Sequence, residues 1–371
     1  MKKLLALLMT ILLLLSAIPA LADMADYNIV TKAETHKVIL DTDMGYFGDD
    51  TYAMMILLQA DKAGYLDLLG LTSVGANTTI AQGTTAILNQ LEALGRSDIP
   101  VAMGTDIPIM GLKTEAQMAA NGLKEIRCMA NVRKFGSTIS YDNLGELKDE
   151  TWGYSSLKPV EQKAWEFMIE QVHKYPGQVT IMAIGACTNV AMAIMEDPTF
   201  AENTAGIYYM GGAIDVPGND TPCAERNWYY DPESVAICLE ANFPVQVVIP
   251  HDISYHQKLT KEIMDNILGR NETVYTKLIK EYAYPRFEQE PDRKQSLWDA
   301  QVPGIFLVPD FITVTDQRDI AMVTDLGYAY GESVAWKEGT GPDSSTLCTV
   351  VYDVDGEAYW NFVAELLSTE F

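Results

Sequence analysis

The sequence predicts an α/β fold: one domain built on a mostly parallel, mixed central sheet with helices on both faces. Three observations predict it. Short apolar runs of strand length alternate with longer segments of helical periodicity from residue 38 to the end of the chain. Acidic and amide side chains fall at the ends of those apolar runs, where open α/β sheets bind ligands. No Pro/Ser-rich linker, charge block or internal repeat divides the chain.

The first 22 residues stand apart. Met1-Lys2-Lys3 is basic, residues 4–18 are apolar, and Ala20-Leu21-Ala22 is a small-x-small cleavage signal. The run is shorter than the ~20 apolar residues that a membrane span needs, and no cysteine follows it to carry a lipid. Residues 1–22 are therefore expected to be a cleaved signal peptide of bacterial type. Residues 23–371 would be the folded domain, secreted or periplasmic and free of the membrane. A net charge of −25 over 371 residues argues against a nucleic-acid partner, whose binders carry basic stripes. Five scattered cysteines show no metal-binding spacing, and a core this large needs no staples.

The elements read in order as follows. Residues 38–40 form a buried strand, and 52–58 have the apolar density of a buried helix. Residues 68–74 read as a strand followed by Gly75-Ala76-Asn77 and a helix over about 79–94, and 99–102 as a short strand. Residues 111–156 lack periodicity, and a stretch so long in a compact domain is expected to be an inserted lid. Residues 159–175 read as a helix with Ala164, Phe167, Met168 and Val172 on its apolar face. Strand 179–184 ends at Gly185-Ala186-Cys187-Thr188-Asn189, and helix 190–195 follows. Strand 207–210 ends in Gly211-Gly212, residues 213–228 are irregular, and Asp231-Pro232-Glu233 starts a helix. Strand 245–249 carries His251 and Asp252 at its end, and helical patterns follow at about 258–268 and 273–282. Residues 296–300 open another apolar helix with Asp299 in its first turn, and residues 358–366 form the last helix.

The most informative stretch is the turn after the first strand. Asp41 and Asp43 end the apolar run, Gly45 and Gly48 bend the chain, and Asp49 and Asp50 open the next helix. Helix capping and the helix dipole favour one acid at such a place. Four crowded carboxylates repel one another unless a hard cation neutralises them, and all-oxygen ligands suit calcium or magnesium. Downstream, Gly218-Asn219 precedes Ala224-Glu225-Arg226-Asn227, and Asp299 lies in Ser296-Leu297-Trp298-Asp299-Ala300.

Taken together, these motifs resemble the inosine/uridine-preferring nucleoside hydrolase family over nearly all of the chain after residue 37. The resemblance implies the Rossmann-like fold of that family. It also implies Ca2+-dependent hydrolysis of the N-glycosidic bond of ribonucleosides, with metal-activated water attacking an oxocarbenium-like sugar. On this reading Asp43, Asp50, Asp299 and the backbone carbonyl of Ile184 hold calcium, and Asp41 orients that shell. Asp43 also takes the proton from the attacking water. Asp49, Asn77, Asn219, Glu225, Asn227 and Asp299 bind the ribose hydroxyls. The partner is a small nucleoside, and a homodimer or homotetramer is compatible with the sequence.

Two departures stand out. The family's commonest turn is two residues shorter between Asp43 and the Asp pair; here Tyr46, Phe47 and Gly48 fill the gap. Where many members place a histidine before the last metal carboxylate, this chain has Trp298. An indole cannot protonate the leaving base, though it can stack on it. Two rival readings follow: a non-catalytic exported nucleoside- or ribose-binding protein, and, on the strand-end Asp-x-Asp alone, a magnesium phosphatase with an aspartyl nucleophile.

Overall fold

The computed structural model describes residues 24–30, 36–126, 129 and 155–371. The predicted signal peptide and most of the predicted lid therefore lie outside the described residues. The sheet has ten strands in the order β4-β3-β2-β1-β5-β6-β7-β10-β8-β9. These are β1 (Lys37–Thr42), β2 (Asp67–Ser73), β3 (Val101–Met103), β4 (Val160–Lys163), β5 (Val179–Ala183), β6 (Gly206–Met210), β7 (Gln246–Ile249), β8 (Ile312–Met322), β9 (Ser333–Lys337) and β10 (Thr346–Val354). All pairings from β4 to β10 along this order are parallel. β8 pairs antiparallel with both β10 and β9, which makes the sheet mixed, as expected.

β1 is the central element because its sequence is apolar on both faces. Val38 and Leu40 pack into the core on one side and Ile39 into the core on the other. All three are fully buried, which stabilises the fold by roughly 5–9 kcal/mol at the usual value for such side chains. That margin lets the same strand carry Asp41 into the interior. The helices Asp49–Lys62, Ile80–Ala93, Gln301–Leu307 and Gly356–Ser368 cover the first face. Ala164–Lys174, Thr188–Glu196 and Pro232–Glu240 cover the second.

From β1 the chain moves outward to β2, β3 and β4, then returns to the other side of β1 as β5 and continues outward to β6 and β7. The strand order thus reverses between β1 and β5, and crevices at such switch points are where open sheets hold ligands.

Several sequence expectations need correction. Residues 160–163 are an edge strand, not the start of the following helix, which runs from Ala164 to Lys174. Their alternating half-buried and exposed residues pair with β3, and edge pairing outweighed a helical pattern. Asp299 does not lie in a helical first turn; the helix starts at Gln301. The irregular segment 213–228 ends in a short helix, Arg226–Tyr230. Within 111–156 the described part contains the helix Glu115–Asn121.

Candidate active site

β1 delivers the first two carboxylates. Asp41, still in the strand, is fully buried; its Oδ1 accepts from Thr72 Oγ1 at 2.6 Å and Asn189 Nδ2 at 2.8 Å. Asp43, just past the strand, accepts the Asn77 backbone N–H on Oδ2 at 2.8 Å. Gly185 must be glycine for this arrangement, because a Cβ there would sit 2.9 Å from the Asp43 backbone nitrogen and Cβ. The helix Asp49–Lys62 begins at once after Gly48, whose N–H donates to Thr51 Oγ1 at 3.2 Å. Asp49 and Asp50 therefore stand at its amino terminus, where the dipole favours negative charge. Asp50 Oδ1 accepts from Thr42 Oγ1 at 2.5 Å, which ties the helix start back to the strand end.

Asp299 arrives from the far end of the chain. Asp49, Asp50 and Asp299 each offer a carboxylate oxygen, and these oxygens lie within 4.8 Å of one another. Burial pushes Asp43 up to about 7, with the Asp49 and Glu225 charges adding to it. Burial and then the neighbouring carboxylates, Asp43 among them, hold Asp50 and Asp299 well above the carboxylate range. Asp43 Oδ1 and Asp41 Oδ2 are buried with no hydrogen-bond partner. Buried carboxylates left unpartnered are costly, and an all-oxygen set with an orphaned acceptor fits a hard divalent cation.

A second group of polar side chains comes from the segment after β6. Glu225 caps the helix Arg226–Tyr230, accepting the N–H groups of Asn227 at 2.9 Å, Trp228 at 3.1 Å and Gly212 at 3.2 Å. Burial raises it to about 7, partly offset by those donors. Asn227 Nδ2 donates to the Ile184 carbonyl at 2.9 Å and to the Met210 carbonyl at 3.2 Å. The Ile184 oxygen keeps a second lone pair. Asn219 Oδ1 accepts the Arg226 backbone N–H at 2.9 Å.

These elements enclose a cleft of about 280 Å³ lined by Asp43, Tyr46, Asp49, Asn77, Met210, Asn219, Glu225, Arg226, Asn227, Trp298 and Asp299. A larger cleft of about 860 Å³ lies beside Tyr255, Lys258, Arg270 and Trp360. It has none of the clustered carboxylates, so size does not decide the site.

The family model described as inosine-uridine preferring nucleoside hydrolase matches residues 38–361. The chain belongs to that family. Among its relatives, a probable uridine nucleosidase 1 of Oryza sativa subsp. japonica is 35% identical over 57% of this chain and 57% of its own length. A pyrimidine-specific ribonucleoside hydrolase RihA of Citrobacter koseri is 28% identical over 89% of this chain and 97% of its own. The matches to the first four uridine nucleosidases span only 55–64% of those proteins. Among solved structures, the plant nucleoside hydrolase PpNRh1 superposes with a TM-score of 0.71 at 28% identity, covering 91% of this chain and all of that one.

Eight of the eleven residues expected at the site line one crevice. Asp43, Asp49, Asn77, Asn219, Glu225, Asn227, Trp298 and Asp299 line the cleft. Asp50 groups with Asp49 and Asp299 and the Ile184 carbonyl meets Asn227, whereas Asp41 is bonded to Thr72 and Asn189, outside the lining. The closest carboxylate grouping puts Asp49 beside Asp50 and Asp299, although Asp49 was assigned to the sugar. Asp41 is fully buried and does not line the cleft.

Sequence reasoning gave no site role to Tyr46, Arg226, Met210 and Asn189. The lengthened turn was the signal for Tyr46: Phe47 stacks on Tyr282 with centroids 5.8 Å apart and meets Tyr52 edge-on, so its neighbour is held at the cleft. Arg226 lines the cleft, with its guanidinium 3.5 Å from Asp220. His251, just past β7, is buried and accepts from Trp298 Nε1 at 3.0 Å; His256 is exposed. Cys187, Cys223, Cys238 and Cys348 are free thiols, and Cys128 lies outside the described residues.

Proposed function

We propose that the protein hydrolyses the N-glycosidic bond of ribonucleosides, using a calcium ion held by Asp43, Asp50, Asp299 and the Ile184 carbonyl. The convergence of distant carboxylates, from residues 43, 49, 50 and 299, onto one strand-end crevice carries the reading. A bound cation would neutralise these acids and lower the pKa of a water at the site. Asp43, with a free buried oxygen, takes the proton from the attacking water. The water oxygen bonds to C1′ as the C1′–N bond breaks, and the bonding pair leaves with the base. Asp49, Asn77, Asn219, Glu225, Asn227 and Asp299 hold the ribose, and their negative potential stabilises the positive character that develops on the sugar. Trp298 presents an aromatic face to the base.

Chain-specific export, a folded unit over residues 23–371 and self-association belong to this proposal too. The test is to incubate the purified protein with Ca2+ and a panel of inosine, uridine, cytidine and adenosine, and to follow free base and ribose by chromatography. Stoichiometric release, abolished by chelation, is the expected result. Tight nucleoside binding with no release would instead establish the binding-protein reading, which the lack of an imidazole before Asp299 favours.

A further inference from the structure

We infer that His251 is a positioning residue that locks the indole of Trp298 in place as the platform for the nucleobase. The inference rests on the proposed nucleosidase reading. Trp298 sits on an irregular segment ahead of the helix Gln301–Leu307, half-buried and lining the cleft. No helical or strand ladder fixes its ring there. Its sole polar atom, Nε1–H, donates to His251 Nδ1 at 3.0 Å, with the two rings tilted by 34° and their centroids 5.9 Å apart. An indole nitrogen can only donate, so Nδ1 must accept, and the proton of the neutral imidazole resides on Nε2.

The imidazole is itself well anchored. His251 follows β7, is 8% exposed, and donates its backbone N–H to the Gly212 carbonyl at 2.8 Å. Tyr255 packs edge-on at 5.5 Å, and the Ser254 hydroxyl, 3.2 Å from Nδ1, shares the one lone pair that accepts from Trp298. Burial also holds the ring below the usual imidazole range, and this preserves the acceptor at neutral pH. The end of β7 thus dictates the attitude of a side chain some 47 positions later.

A chemical consequence follows. With Nε1–H engaged, Trp298 offers a ligand its π face and no free donor. It selects for flat heterocycles by stacking area, not by hydrogen-bond pattern. One net hydrogen bond corresponds to a factor of roughly 3–10 in the weight of the docked ring.

The test is a double-mutant cycle on the calcium-loaded protein using His251→Leu, His251→Asn, Trp298→Phe and the His251→Leu/Trp298→Phe pair. Inosine affinity is measured calorimetrically and by KM, and ribose competition serves as a control for the sugar end. His251→Leu is expected to weaken inosine about 3–10-fold and leave ribose competition unchanged. His251→Asn, which keeps an acceptor near Nδ1, should recover most of the loss. In the Trp298→Phe background, His251→Leu should add less than about twofold. Equal losses in both backgrounds, or parallel weakening of ribose, would overturn the positioning role. Calorimetry separates the two readings. Coupling of His251 and Trp298 in binding without turnover sinks the nucleosidase reading alone. Turnover without coupling sinks the positioning role alone.

Discussion

The floor of the cleft and its rim are built in opposite ways. On the floor, Asp41, Asp43, Asp50, Glu225 and Asp299 are buried acids held by backbone N–H groups, threonine hydroxyls and a helix terminus. At the rim, Tyr46 and Trp298 are half-exposed aromatics. Trp298 is bonded to His251, and Tyr46 precedes Phe47, which stacks on Tyr282. A sugar presents the same hydroxyls in every ribonucleoside, so on the proposed reading a floor of fixed acids with unpartnered oxygens suits a cation and a sugar alike. Bases differ in size and polarity, and an aromatic face adapts to them at small entropic cost. The floor should therefore govern rate, and the rim should govern choice among substrates.

The largest expected effect comes from the floor. Asp43→Asn removes both a ligand charge and the proposed base, and should lower turnover by ~10⁴ for every nucleoside alike, with circular dichroism and Tm showing an intact fold. Rates within tenfold of the parent would end its role as the base. The next effect belongs to the rim. With no imidazole before Asp299, a leaving group that departs without a proton, such as p-nitrophenolate, should leave ~10²–10³-fold faster than hypoxanthine. Comparable rates for p-nitrophenyl riboside and inosine would show that leaving-group departure does not limit inosine, with His251, His256 or a residue of 111–156 as the candidate acid. Trp298→Ala should reorder the substrates; an unchanged ranking would reduce the indole to packing.

A smaller effect tests the floor through its protons. Asp43 rises from 3.8 and Glu225 from 4.5, both to about 7, through burial. Their folded values exceed the unfolded ones, so the native state binds the extra protons between about pH 4 and 7. Without a cation, stability should fall as pH rises through that window. A divalent ion needs the ionised carboxylates, so Ca2+ should raise Tm more at pH 8 than at pH 5. At a hundredfold excess over Kd the gain is about 2.7 kcal/mol. Equal shifts at both pH values would place the ion elsewhere. The smallest effect lies far from both regions. Val314, 49% exposed on β8, should tolerate Thr within about 0.5 kcal/mol and without loss of rate.

How far the sequence alone reaches differs from one element to the next. The β1 run, the four-carboxylate turn and the alternation of strands with helices are local patterns, because side-chain period and apolar density are set by neighbours in the chain. They suffice for the α/β class and for the chemical groups that crowd the strand ends. The edge strand β4 was read as helix because its pairing with β3 is a contact between residues about 60 positions apart in sequence. The β8–β10 meander went unassigned for the same reason: its strands pair with one another and with β7 across long separations. The bond from Trp298 to His251 was likewise invisible, and only the family resemblance, not periodicity, joined Asp50 to Asp299. The sequence by itself determined which chemical groups the strand ends carry. Only the tertiary structure decided which oxygens share one site and which face of the indole the cleft receives, because those depend on distances that exist only after the sheet has closed around β1.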